Sequence, residues 1–558
     1  MTSITRRDFV KSTAALAPLA LGLSSSDAQQ AGSAAGAARQ AGRSVAPGDR
    51  FDYVIAGAGH NSLVCAAYLA KAGHRVLILE GRPLIGGGAK TAEVLLPGFK
   101  TDLCSTVHGG ISQNPILRDN EINIRDYGYE TIDPDVVVHI PFLDGASFTV
   151  FRQDLERTAA TIARVSKKDA ETFRRLARSR QKVLAMSPAE RVETREGLFW
   201  GRIGDLSGYD AACHIWESRH MRAANLTAGH FGGVPGSDPG TGDQAVSMMG
   251  HLSGRPIPKG GSGMLSVALG RFIEANHGVI LTNTPVARLI IEDARCKGVE
   301  CVDGTQYRAQ KGVVSTIHVK NLIGMAPREL WGDALLDTVD IWQPEHAMFV
   351  FHFALAESPT YPLADGGTIS SCEAAIMQRP ESIFVLSADQ ARGELNIEDY
   401  PLQIVHPSVF DTTRVPPGYG LIKIEGTMPY ALKEGPQHWD VIKERVADQL
   451  LTHYLRHTAN LTKDKVLAKF LLSPLDIERM NPSMWRGSVH HSVRRLGNFA
   501  PYRMPIRGLY QTGGCTAPGG SITGQPGRHT AIAILQDEGT TLEQVVGKGR
   551  AGQPSDRS

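Results

Sequence analysis

The sequence predicts an α/β fold whose sheet is assembled from distant segments of the chain, with an α+β part inserted between them. Three observations carry this. A compact, apolar, β-branched run at 51–56 passes through Gly57-Ala58-Gly59 into a helical stretch at 63–72. A second such run at 75–80 follows Gly73 and ends in Glu80. Far toward the C-terminus, a short strand at 508–512 runs through a glycine loop into another helical stretch at 528–536.

The first two runs form a strand–turn–helix–strand unit with an acid about twenty residues past the turn, the spacing of a Rossmann-type dinucleotide site. Gly57 permits the tight turn, and Gly59 lets backbone approach a pyrophosphate closely. The helix start meets that negative charge with free N–H groups and its dipole. Glu80 is placed to accept hydrogen bonds from the adenosine ribose. The third glycine of the pattern is replaced by Ser62, and a small side chain there is expected to be tolerated.

The remaining composition bounds the rest. At 558 residues the chain exceeds one simple core, so two or three subdomains are expected. The 59 Lys and Arg nearly balance 57 Asp and Glu; no nucleic-acid partner is expected, and a small-molecule substrate is favoured. Seven scattered cysteines without a C-x-x-C pair argue against a disulfide framework or a zinc site, and no metal is expected.

Arg6-Arg7-Asp8-Phe9 precedes a short apolar run at 14–23 and small residues at 26–28. This pattern resembles a twin-arginine signal peptide, 1–28, read by the export machinery that moves folded proteins to the bacterial periplasm. The apolar run is too short to span a bilayer. An Ala/Gly/Gln/Ser-rich linker follows at 29–50, and a flexible tail is expected at 546–558.

Past Glu80, Arg82 and Gly86-Gly87-Gly88-Ala89-Lys90-Thr91 place a second glycine cluster beside the first. With Gly57-Ala58-Gly59, this segment resembles the phytoene/carotenoid desaturase and amine oxidase class of flavoproteins, and the desaturase-like branch that includes pyridine nucleotide-disulfide oxidoreductase domain proteins. The resemblance implies FAD as cofactor, with Gly86 and Gly87 at its pyrophosphate and Arg82 just before them. It also implies that the segment 513–527, with Gly513, Gly514, Gly519, Gly520 and Thr523, passes beside the flavin. Gly514 stands where many relatives carry an acid, and Ser521 interrupts a run of glycines. The segment 258–316 resembles the family's return to the cofactor domain, where backbone at Val286 lies near the adenine.

The expected organisation is therefore a discontinuous FAD-binding domain, 51–150, 255–325 and 485–545, with a substrate or lid domain at 151–254 and 326–484. The flavin supplies the redox step. No nucleophile elbow, H-E-x-x-H or P-loop is present, and no second dinucleotide unit, so oxygen, a quinone or a redox protein is the expected electron acceptor. His490, His491 and His108 are candidate acid/base groups. The reading is an FAD-dependent dehydrogenase or desaturase acting on an apolar organic substrate. A flavin amine or amino-acid oxidase is the alternative within the fold, and an FAD-binding assembly protein with little turnover the alternative outside it. Peripheral membrane contact is left open.

Overall fold

The computed structural model describes residue 45 and residues 49–230, 235–344, 346–363, 366–398, 400–490 and 499–547, with only the backbone at 228–230. The expected signal peptide, most of the linker, the end of the tail and His491 lie outside these residues. Among the described residues, no helix is long and apolar enough to cross a membrane.

The first sheet has seven strands. Phe51–Ala56 lies at its centre, parallel to Val76–Leu79 on one side and to Gln306–Ser315 on the other. Val279–Leu281 and Leu509–Gln511 extend it in parallel at either end. Helices His60–Lys71, Gly263–Ala275 and Gln525–Asp537 pack into the apolar core on one face, and a second cluster covers the other. Both faces being covered, the central strands read as continuous apolar runs rather than alternating ones.

Gln306–Ser315 begins antiparallel to Arg295–Cys301 and continues parallel to Phe51–Ala56, so a single strand ties a three-stranded ribbon to the parallel sheet. Helix Gln525–Asp537 starts earlier than expected, because Pro526 fits the first turn, where a missing N–H costs nothing. Helix Trp439–Leu455 ends where the chain turns away, the Ala459 N–H bonding Thr360 O just beyond it.

The second sheet runs Val466–Leu472, Met348–Leu355, Gly420–Thr427, Leu402–Val405, Glu373–Ile376, Val136–Pro141, Ser147–Phe151. The hairpin 136–151, which the sequence grouped with the cofactor-binding segment, is therefore hydrogen-bonded into this sheet. Its strands alternate with period two. Phe349, Phe351, Phe353, Ile422, Ile424, Leu402 and Ile404 point to the back, forming one core with helix Trp439–Leu455. The opposite face, carrying Val350, Gln403 and Glu425, looks toward the first sheet.

Helices between 155 and 230 pack around Phe173 and Trp216 beside this sheet. Asp169 is buried, and its carboxylate accepts the N–H groups of Glu217 and Ser218 at 2.8 and 2.9 Å. A helix start needing acceptors draws the charge inward.

Candidate cofactor and substrate site

A cleft of about 1230 Å³ lies at the carboxyl ends of the parallel strands, where open α/β sheets bind ligands. Its floor begins with Gly57 and Gly59. Gly57 has φ +98, and a Cβ there would stand 3.2 Å from Thr316 Oγ1. No side chain caps the helix that follows Gly59, and its first turn holds no acid, so the positive end of that helix stays open to an anion. Ser62 does not line the cleft. Its hydroxyl folds back onto Gly57 O and Gly59 O at 2.7 and 2.8 Å, which explains how a serine replaces the third glycine without opening the turn.

Glu80 lines the cleft while bracing both glycine loops: its carboxylate accepts from Ala58 N at 2.9 Å and Arg82 N at 3.0 Å. Gly86 (φ +118) is locked between the loops, bonding Ala58 O through its N–H at 2.7 Å. A Cβ at Gly86 would stand 2.1 Å from Ala89 O, so its role is fastening, and the cleft surface itself belongs to Gly87 and Gly88. Arg82 also faces the cleft, its Nη2 donating to Arg479 O at 2.9 Å. Val286 lines the far end with Pro285 and Ala287.

The C-terminal loop closes the opposite side through Gly513, Gly514, Gly520 and Ser521. Gly520 packs so tightly that a Cβ would stand 2.5 Å from Val489 O. Ser521 holds φ +83, a conformation favouring glycine, so the residue that interrupts the glycine run in sequence keeps the glycine backbone. Its carbonyl contacts His60 Nε2 at 3.2 Å. Gly519 and Thr523 lie in the same loop behind the lining; Thr523 O accepts from Asn114 Nδ2, and Thr523 Oγ1 accepts the Gln525 N–H at the helix start.

The histidines separate. His490 lines the cleft and the chamber beyond it. His108 lines neither: it is buried, with Tyr129 OH 3.0 Å from Nδ1 and Ser262 Oγ 2.8 Å from Nε2. Burial pushes it down to about 3, so it is a neutral structural group at pH 7.

Sequence reasoning passed over Lys90. Its side chain is buried and lines the cleft, and its ammonium makes no hydrogen bond or ion pair with a described residue. Burial lowers its pKa, with Glu80 acting against that fall. An ammonium left unpaired at a cavity wall calls for an anionic occupant. Together with Arg82, the open helix start and the backbone at Gly57, Gly59, Gly87 and Gly88, it fits a diphosphate-bearing cofactor.

At its inner end the cleft meets the front face of the second sheet, including Met348, Val350 and Glu425. A further chamber of about 300 Å³ adjoins it, sharing Ser105, Met348, Glu425, His490 and Ser521. Glu425 stands 2.9 Å from Lys423 Nζ. Burial pushes the Glu425 carboxyl above its ordinary range even against that ammonium. The sequence signal was present: in Leu421-Ile422-Lys423-Ile424-Glu425, charges alternate with apolar residues, which puts them on one strand face.

The family model for flavin containing amine oxidoreductase matches residues 63–334. A limonene dehydrogenase component of Castellaniella defragrans is 26% identical, covering 88% of this chain and 95% of its own. Pyridine nucleotide-disulfide oxidoreductase domain-containing protein 2 of Mus musculus is 24% identical over 87% and 94%. A lycopene-forming phytoene desaturase of Paracoccus sp. is 26% identical over 50% and 55%. Among solved structures, an oxidoreductase from Methanosarcina mazei superposes with TM-score 0.58 at 16% identity, covering 88% of this chain and all of that one.

Proposed function

We propose that this chain is an FAD-dependent oxidoreductase of the dehydrogenase/desaturase type, one that removes a hydride from an organic substrate whose body is largely apolar. The observation that carries this is the continuity of the two cavities. Glycine turns, Lys90 and Arg82 line the end suited to a dinucleotide, and the other end opens into a chamber against the second sheet. FAD, when bound, supplies the two-electron oxidation that the side chains cannot. Lys90 and Arg82, both in the cleft lining, would neutralise the cofactor's phosphates, and Glu80 holds the two glycine loops in register. Met348, Val350 and Ile522 form an apolar wall that orients the substrate and excludes water. Glu425, whose carboxyl keeps its proton to higher pH than usual, is the group placed to exchange a proton with substrate, and His490 stands on the same boundary.

The electron acceptor is oxygen, a quinone or a redox protein, in keeping with a single dinucleotide fingerprint. Anaerobic addition of candidate donors to the flavin-loaded enzyme tests the reading. Bleaching of the flavin band by one class of organic donor is expected; a flavin that no donor reduces would sink it. The export route is proposed on the N-terminal pattern. Changing Arg6 and Arg7 together to lysine is expected to keep the protein out of the periplasmic fraction; periplasmic recovery equal to the parent would refute that.

A further inference from the structure

We infer that the inner chamber selects substrates bearing a neutral oxygen group, a hydroxyl or a carbonyl, on an otherwise apolar skeleton, and that Arg255 is the residue that holds that oxygen. The inference rests on the dehydrogenase reading only in taking the chamber as the substrate's place.

The chamber is built on one face of the second sheet, where Glu373, Gln403 and Glu425 project from three neighbouring strands. An inward-facing row of this kind is costly unless each group is paired. Glu373 is buried, and both its oxygens are taken: Arg255 Nε donates to one at 2.5 Å, and Gln403 Nε2 to the other at 2.8 Å. These bonds fix the guanidinium in place. Its two terminal nitrogens have no hydrogen-bond partner among the described residues, and Arg255 lines the chamber. The Gln403 carbonyl oxygen likewise has no partner there. The chamber thus offers fixed donors beside an acceptor, with Val138, Ala375, Val405 and Met348 supplying apolar surface for the rest of a ligand.

Charge decides what those donors take. Arg255 is balanced by Glu373, and Lys423 by Glu425. His251, also in the lining, is pushed down to about 3 by burial and is neutral. A carboxylate entering here would stay an uncompensated charge out of bulk water. A hydrocarbon would leave the Arg255 donors dry and unbonded, which also costs free energy. A neutral oxygen satisfies the donors without adding charge, and a hydroxyl can in addition donate to Gln403.

The test uses the flavin-loaded enzyme titrated with four compounds on one skeleton, read as perturbation of the flavin absorbance. The compounds are p-cymene, 4-isopropylbenzyl alcohol, 4-isopropylbenzaldehyde and 4-isopropylbenzoate. The alcohol and aldehyde are expected to half-saturate at concentrations about tenfold below the hydrocarbon and the carboxylate, roughly one satisfied polar contact. Arg255→Met alone leaves Glu373 buried without its cation, which threatens the fold itself. The double change Arg255→Met with Glu373→Gln removes both charges, and it is expected to erase the tenfold gap while retaining flavin. Equal or tighter binding of p-cymene, tightest binding of the benzoate, no perturbation by any of the four, or a gap that survives in the double variant overturns the inference. A flavin that no donor reduces contradicts the dehydrogenase reading instead and leaves the binding preference measurable.

Discussion

Gly87→Val is expected to give a folded protein that retains no more than about a tenth of the parent's FAD, a loss of roughly 1.4 kcal/mol or more in cofactor binding. Two separate effects point the same way. Gly87 sits at φ +64, where a β-branched residue is strained by about 1–3 kcal/mol. A Cβ would also stand 3.1 Å from the Gly59 Cα, wedging apart the two glycine loops that the Glu80 carboxylate ties together. The strain falls on a loop, at a half-buried residue outside the helices and strands, so circular dichroism should stay close to the parent's while absorbance near the flavin band collapses. Parental flavin content in this variant would contradict the assignment of the cradle.

Asp102→Asn is expected to destabilise the fold by about 3–5 kcal/mol, the cost of removing one partner from a buried ion pair. Asp102 and Arg414 are both fully buried, with Arg414 Nη2 2.8 Å from Asp102 Oδ2. That contact lies off the line of a hydrogen bond, so the attraction is mainly between charges. The other carboxylate oxygen accepts Thr91 Oγ1 at 2.7 Å and Ser262 N at 2.8 Å. One side chain thereby fastens the Lys90 loop to the start of helix Gly263–Ala275. Burial alone would raise the Asp102 pKa, but Arg414 and these donors outweigh it and hold the carboxyl below its ordinary range. With the native pKa depressed, the stabilisation is present above the unfolded value near 4 and is lost as pH falls through the native one. The variant should therefore unfold at lower denaturant at pH 7, and the gap to the parent should narrow as pH drops below about 4. An unchanged midpoint at pH 7 would show that the pair contributes nothing.

The cofactor end was legible because its signals are local. Gly57, Gly59 and Glu80 sit within one strand–turn–helix–strand unit, and local sequence sets turn conformation. The loop at Gly86 to Gly88 and the C-terminal glycine loop were legible by resemblance, and the structure adds why Ser62 and Ser521 are tolerated in the first and the C-terminal loop: one hydroxyl caps its turn, and the other residue takes the glycine backbone. The substrate end was not legible. Arg255, Glu373, Gln403 and Glu425 come from segments far apart in sequence, and only the pairing of three strands brings them to one face. His108 drew attention as a histidine near glycines, but nothing local told that Tyr129 and Ser262 enclose it. Lys90 lay within the glycine segment at 86–91; that its ammonium has no hydrogen-bond or ion-pair partner among the described residues is a tertiary fact.

Binding of FAD in the cleft is read directly from the visible spectrum of the purified protein after extensive desalting. Flavin absorbance bands at about one FAD per chain are expected, released on denaturation and restored by refolding or incubation with FAD. A colourless protein that takes up no FAD on reconstitution would contradict the account at its root.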